Sequence, residues 1–255
     1  MSYTAAGRTG TGYSTSMLLM VILCAGLYTA TVTAATAPDP RDRHYNEVGF
    51  FDVHVCSWPD QPLFLMPLVS TSYYDDIKKV DVFYPDGRQL TALDLSRFRT
   101  IESKDAPKKQ VFINQIGMPD DAVEGWYSAR ITLKNGDTYT ASDYVVLSKL
   151  GRAGGQIPAH EEIVPSPPAK LTWDAVAGAS YYQVFIRDQW EDNKLIYTSR
   201  LLSEPELSLP PGLIEDGGYY SWLIHARDIN GDIKLGDFNS GSLNAPVTFS
   251  VDVSR

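Results

Sequence analysis

Residues 227–237, RDINGDIKLGD, place Asp228, Asn230 and Asp232 at alternate positions. Alternating side-chain oxygens are how a calcium loop of the EF-hand type presents its first hard ligands. Such a loop needs glycine at its sixth position for the sharp turn and a carboxylate at its twelfth. Those places hold Ile233 and Asn239 here, and neither flank has the period of an amphipathic helix. Asn230-Gly231 is also a strong turn signal between two strands. The turn is the preferred reading, with no metal expected. A second group lies in DVHVC, where Asp52, His54 and Cys56 alternate and so project from one face of a strand. Their types suit a transition-metal half-site or a Cys–His pair. One strand supplies three ligands only with strained geometry, however, and zinc usually recruits from several elements. Phe51, Val53 and Val55 occupy the other face, so the polar trio is expected on the solvent side.

No nucleophile elbow, paired-histidine metal helix, phosphate loop or cysteine-pair zinc motif occurs. Of the four histidines, His44 and His160 fall in expected linkers. No catalytic residue and no cofactor are therefore expected, and the chain does not read as an enzyme. The formal charge is −9 with no run of Lys or Arg. That balance lacks the electrostatic footprint for nucleic acid or anionic lipid.

The elements that would position these residues are strands. Hydrophobic residues at 44% and charged residues at 21% are ordinary for a globular chain. Sixteen prolines, nineteen glycines and fifteen tyrosines favour many short strands joined by turns. Residues 9–38 carry no charge, and MLLMVILCAGLY (17–28) is a compact apolar run after Arg8, followed by small residues. Residues 1–37 thus read as a secretory signal peptide, with an uncleaved anchor as the alternative and the sole expected membrane contact. Either places the rest in the periplasm, at the cell surface or outside the cell. Cleavage removes Cys24 and leaves Cys56 without a partner, so no intrachain disulfide is expected.

Residues 38–47 read as an exposed lead-in, and residues 151–167, rich in Gly, Pro and charge, as a second linker. They leave two blocks, 48–150 and 168–255. The first alternates in FDVHV, VDVFY and WYSARITL, and KNGD then TYTASDYVV completes a hairpin. On GWYSARITLKNGDTY (125–139) this block resembles a bacterial immunoglobulin-like domain. The second block carries more specific landmarks, LTWDAVAGASYYQVFIRD (171–188) and IEDGGYYSWLIHARDING (214–231). Over residues 165–253 it resembles the fibronectin type III domain. Trp173 stands at that family's second-strand tryptophan, Tyr182, Val184 and Ile186 at its next inward-facing positions, and Tyr220, Trp222, Ile224 and Ala226 on a later strand. Ile214, six residues before Tyr220, completes a tyrosine-corner pattern. The resemblance implies a fold and no catalytic residues.

All-β architecture follows: two tandem immunoglobulin-like or fibronectin type III-like β-sandwiches after an N-terminal signal segment. If Tyr182, Val184 and Ile186 face inward, then Tyr181, Phe185 and Arg187 face outward, beside Tyr219, Leu223 and His225 of the neighbouring strand. Those six form the candidate binding face, rimmed by Arg227 and extended by Trp190, since exposed apolar surface with a polar rim marks partner sites. The expected role is a non-catalytic binding or spacer protein at the cell surface or in the periplasm, its partner another protein. A carbohydrate-binding accessory module is the alternative, with a glycan as partner; a hydrolase subunit ranks last.

Overall fold

The structure, a computed structural model, describes residues 39, 41–104, 106–228 and 236–253; the expected signal segment (1–37) and the expected turn at 229–235 lie outside them. All regular structure among the described residues is β. No helix there is long and apolar enough to cross a membrane. In the first half the strands are β1 (Tyr45–Asn46), β2 (Gly49–Ser57), β3 (Phe64–Thr71), β4 (Ile77–Phe83), β5 (Gln89–Ala92), β6 (Phe98–Ser103), β7 (Ala106–Ile113), β8 (Ile116–Gly117), β9 (Gly125–Leu133) and β10 (Thr138–Val145). One sheet runs β2-β3-β7-β6 and faces another ordered β10-β9-β4-β5. These orders reproduce the ABED and GFC sheets of an immunoglobulin-like sandwich. Phe51, Val53 and Val55 of β2 meet Tyr127, Ala129 and Ile131 of β9 in one core, as period-two alternation requires.

Two local features fix this half. The Tyr127 hydroxyl donates to the Val123 carbonyl at 2.9 Å, a tyrosine corner at the start of β9. The β9–β10 hairpin forms as expected, and its turn is not the two-residue Asn-Gly type. Gly136 has φ of +98° while Asn135 does not enter the left-handed region. Gly136 N–H donates to the Leu133 carbonyl at 3.0 Å, and Leu133 N–H to the Asp137 carbonyl at 2.9 Å. Lys134, Asn135 and Gly136 therefore make a three-residue loop, in which glycine alone needs positive φ.

The second half holds β11 (Glu162–Val164), β12 (Lys170–Thr172), β13 (Tyr181–Asp188), β14 (Lys194–Thr198), β15 (Glu206–Ser208), β16 (Tyr219–Arg227), β17 (Ser240–Leu243) and β18 (Val247–Val251). The β12–β15 pair faces a sheet in which β14, β13, β16 and β18 follow one another, with β11 parallel to β18. This half too is an immunoglobulin-like sandwich. Trp222 lies 6.2 Å from Trp173, which meets Tyr182 edge-on at 5.4 Å. Trp222 is only 1% exposed. Burying an aromatic side chain of 150–250 Å² contributes roughly 4–6 kcal/mol, an upper bound against an extended chain. Glu215 N–H donates to the Tyr220 hydroxyl at 3.0 Å above buried Ile214, a second tyrosine corner.

Pro38–Arg255 form one compact unit, and the two halves share a sheet. β17 pairs antiparallel with β16 and parallel with β2, aligning Arg227, Gly241 and Cys56 in one row and Ala226, Ser242 and Ser57 in the next. Twelve strands thus run from one sandwich into the other. The segment expected as the second linker is laid down along this seam. The Ser242 hydroxyl donates to the Gly151 carbonyl at 2.6 Å, and Leu150, Ala153 and Val164 pack into the second core.

Candidate functional site

The seam is built around the second edge of β2. Its other edge pairs with β3, leaving the N–H groups of Phe51, Val53 and Val55 without a full-length partner strand. Buried backbone donors must be satisfied. Three different acceptors do so: the His44 carbonyl takes Phe51 N–H at 2.9 Å, the Asp143 carboxylate takes Val53 N–H at 2.8 Å, and the Asn239 carbonyl takes Val55 N–H at 2.8 Å. Asn239 also ties the halves through its side chain. Its Oδ1 accepts from Val146 N–H at 2.8 Å, and its Nδ2 donates to the Val146 carbonyl at 2.9 Å.

Around Asp143 gathers a polar cluster from three elements. His44, just before β1, directs Nε2 at Asp143 Oδ1 (2.9 Å) and Nδ1 at Asp42 Oδ1 (2.6 Å). Asp52 on β2 is hydrogen-bonded to Asp143, accepts Asp237 N–H at 2.9 Å, and meets His54 Nε2 at 3.0 Å. His44, Asp52 and Asp143 are all buried. Gly236 (φ +68°) is needed beside them, because a Cβ there would come within 2.4 Å of Asp52 Oδ1. A cleft of about 490 Å³, lined by Asp42, Tyr45, Phe50, Asp52, His54 and Asp237, opens onto the cluster.

Electrostatics follow from this burial. Burial opposes charge on His44, but its hydrogen bonds to Asp143 and Asp42 override that and raise it to about 9. His44 is therefore an imidazolium donating from both nitrogens. Burial raises Asp52 and Asp143 to about 7 each, and a hydrogen bond between two carboxyl groups needs a proton between them. The hydrogen bond between them lowers Asp52 and raises Asp143. On the other side of Asp52, burial lowers His54 to about 4, so it stays neutral and donates from Nε2. Phe238 stacks on the His54 ring at 3.7 Å and meets His225 edge-on at 5.4 Å. Burial, then the nearby Arg227 charge, lowers His225 to about 3.

Asp52, His54 and Cys56 do share one face of β2, but that face is buried rather than solvated. Asp237 donates its N–H to Asp52 and Phe238 stacks on His54, so a second layer lies over this face where solvent was expected. The three do not converge as ligands. Cys56 is a buried free thiol, pushed by burial up to about 12. Among the described residues the group whose ligand atoms lie within 4.8 Å of one another is instead His44, Asp52 and Asp143. His44 belongs to the lead-in expected to be exposed. Both Asp228 carboxylate oxygens accept Ser240 N–H at 2.9 Å, and Oδ1 also takes Asn239 N–H at 3.0 Å. Asp228 thus closes the chain reversal, while Asn230 and Asp232 lie outside the described residues.

On the outer face of the second half, Phe185 stands opposite Leu223, and Arg187 opposite Ser221. Tyr181 pairs with Arg227 at one end of this strand pair, whereas Tyr219 lies at the other against exposed Trp190, 5.5 Å away. Tyr181, Phe185, Arg187, Tyr219 and Leu223 are half-buried. His225 does not join them as a rim residue, because Phe238 covers it and its Nε2 is buried.

No family model matches the chain, and no curated protein does. Among solved structures it is similar to dimeric latent PorU from Porphyromonas gingivalis (14% identity, TM-score 0.27), covering 81% of this chain and 20% of that one. It is similar also to DIP-gamma IG1+IG2 (13% identity, TM-score 0.23, 82% of this chain and 98% of that one) and to domains A168–A170 of titin (12% identity, TM-score 0.27, 77% and 62%). The chain thus spans a fifth of the PorU length. Likenesses this distant bear on neither activity nor partner.

Proposed function

We propose that the chain is an exported, non-catalytic spacer and docking protein of the cell surface or periplasm, whose second half is of the fibronectin type III kind. One observation carries the reading: β17 pairs at once with β16 and β2, so the halves are joined through a hydrogen-bonded sheet rather than a loose linker. A joint of that kind fixes the angle between two sandwiches, which suits a protein that holds a partner at a set distance and direction. The partner in this reading is a protein bound on the half-buried face around Phe185 and Leu223, where a shallow cleft of about 240 Å³ also reaches Arg187 and Gln189. A sugar-stacking platform is less well supported. Tyr181 and Tyr219 sit at opposite ends of the strand pair, and Trp190 and Tyr219 are inclined at 58° rather than coplanar.

The test is a distance measurement between spin labels on Asp137→Cys and Glu204→Cys, one exposed position in each half. A single narrow distribution is expected. A broad or multimodal one would sink the spacer reading. Recovery of the chain in the cytoplasmic fraction with its leader intact would sink the exported one.

A further inference from the structure

We propose that His44, Asp52 and Asp143 form a binding site for one divalent ion of the Zn²⁺ type at the seam, with Asp42 orienting His44 from behind. The donor set is one imidazole nitrogen and two carboxylate oxygens, the mixture that zinc and manganese accept. The ligating atoms lie within 4.8 Å of one another, and tetrahedral coordination asks for about 3.4 Å between ligands set 2.0–2.2 Å from the ion. Small side-chain shifts close that difference, and a solvent molecule from the cleft would complete the shell. The three ligands come from three elements brought together by the fold, which removes the strain of drawing all of them from β2.

Charge agrees with the geometry. Asp52 and Asp143 are buried beside the one imidazole of His44, with Asp42 behind it, so carboxylates outnumber the nearby cationic group and a divalent ion would balance them. The surroundings already have the form of an outer ligand shell. Asp42 takes His44 Nδ1–H at 2.6 Å, Val53 N–H holds Asp143 at 2.8 Å, and both Asp237 N–H (2.9 Å) and His54 Nε2 (3.0 Å) hold Asp52. Asp52 lines the cleft, which gives the ion a way in.

The test is titration of the chelator-treated protein with Zn²⁺ at pH 7 by calorimetry, alongside Co²⁺ absorption. One ion per chain is expected, with visible Co²⁺ bands of a tetrahedral site. Asp42→Asn should weaken Zn²⁺ by roughly 10–100-fold, the usual effect of an outer-shell change, and Asp52→Asn by more. Failure of the folded wild-type protein to take up Zn²⁺ overturns the proposal. So does undiminished binding by folded Asp52→Asn, or loss of binding in His160→Ala, which would move the site to an exposed histidine. Should Asp52→Asn not fold, Asp42→Asn decides, and Zn²⁺ binding as tight as wild type in that folded variant refutes the assignment.

Discussion

Phe238→Ala should destabilise the protein strongly at neutral pH and hardly at all in mild acid. Phe238 is 4% exposed, stacks on His54 at 3.7 Å, meets His225 edge-on at 5.4 Å and lies 4.9 Å below the Arg227 guanidinium. Removing a buried phenyl ring costs roughly 3–5 kcal/mol. The same ring keeps water from two imidazoles that each have a buried nitrogen without a partner, His54 Nδ1 and His225 Nε2. Burial, the larger cause in both, lowers them from 6.5 to about 4 and about 3. Below pH 6.5 the unfolded chain therefore binds protons that the folded one refuses, so their contribution to stability is intact above 6.5 and is lost on acidification. The slope is about 1.4 kcal/mol per pH unit for each imidazole, or roughly 3 kcal/mol each by pH 4.5. Asp52 and Asp143, raised by burial, act with the opposite sign between their ordinary value and about 7, so the wild-type profile should be nearly flat in mild acid. The difference between wild type and variant cancels the carboxylates and isolates the histidines, which the missing ring exposes to water. Urea unfolding followed by tryptophan fluorescence at pH 7, 5.5 and 4.5 measures it. A penalty that stays constant or grows toward acid refutes Phe238 as the shield of these rings.

Asn239→Ala removes the side-chain bonds to Val146 while leaving both cores untouched, and should cost about 1–3 kcal/mol; thermal melting reads the loss. Gly236→Ala must move Asp52, since φ is +68° and the new Cβ would lie 2.4 Å from its oxygen; a drop of more than about 1 kcal/mol is expected, with an unchanged melt counting against the packing. Cys56 should resist maleimide in the native state, being buried with its thiol raised to about 12, and react once urea unfolds the chain. Phe185→Asp should fold within about 1 kcal/mol of wild type; unfolding would mean that Phe185 belongs to the core side, a register one residue from that of Phe185 and Leu223.

What could be read from the sequence divides along one physical line. Period-two alternation assigns side chains to two faces of a strand, and it placed Phe51, Val53 and Val55 on the core side and Phe185 beside Leu223 on the other. It says nothing about whether a second layer covers the outer face. Asp52, His54 and Cys56 were therefore legible as a row, while their burial was not. His44 gave no signal because its neighbours have no period to break. Asp143 did give one: Ala141, Asp143 and Val145 alternate along β10, so a carboxylate stands on the buried side of its strand. A charge in such a position needs a partner, and that partner was the unpaired edge of β2.

The seam also explains why two sandwiches can share a sheet without leaving a sticky edge. A free strand edge invites pairing with other chains. β17 covers the last part of β2, and the remaining donors are met one by one by a carbonyl before β1, the Asp143 carboxylate and a carbonyl before β17. A carboxylate in place of a strand partner carries a charge into the interior, and that charge has to be balanced locally. His44 with Asp42 supplies the balance on one side, and the hydrogen bond with Asp52 on the other. The polar cluster is thus a consequence of closing β2 with a side chain.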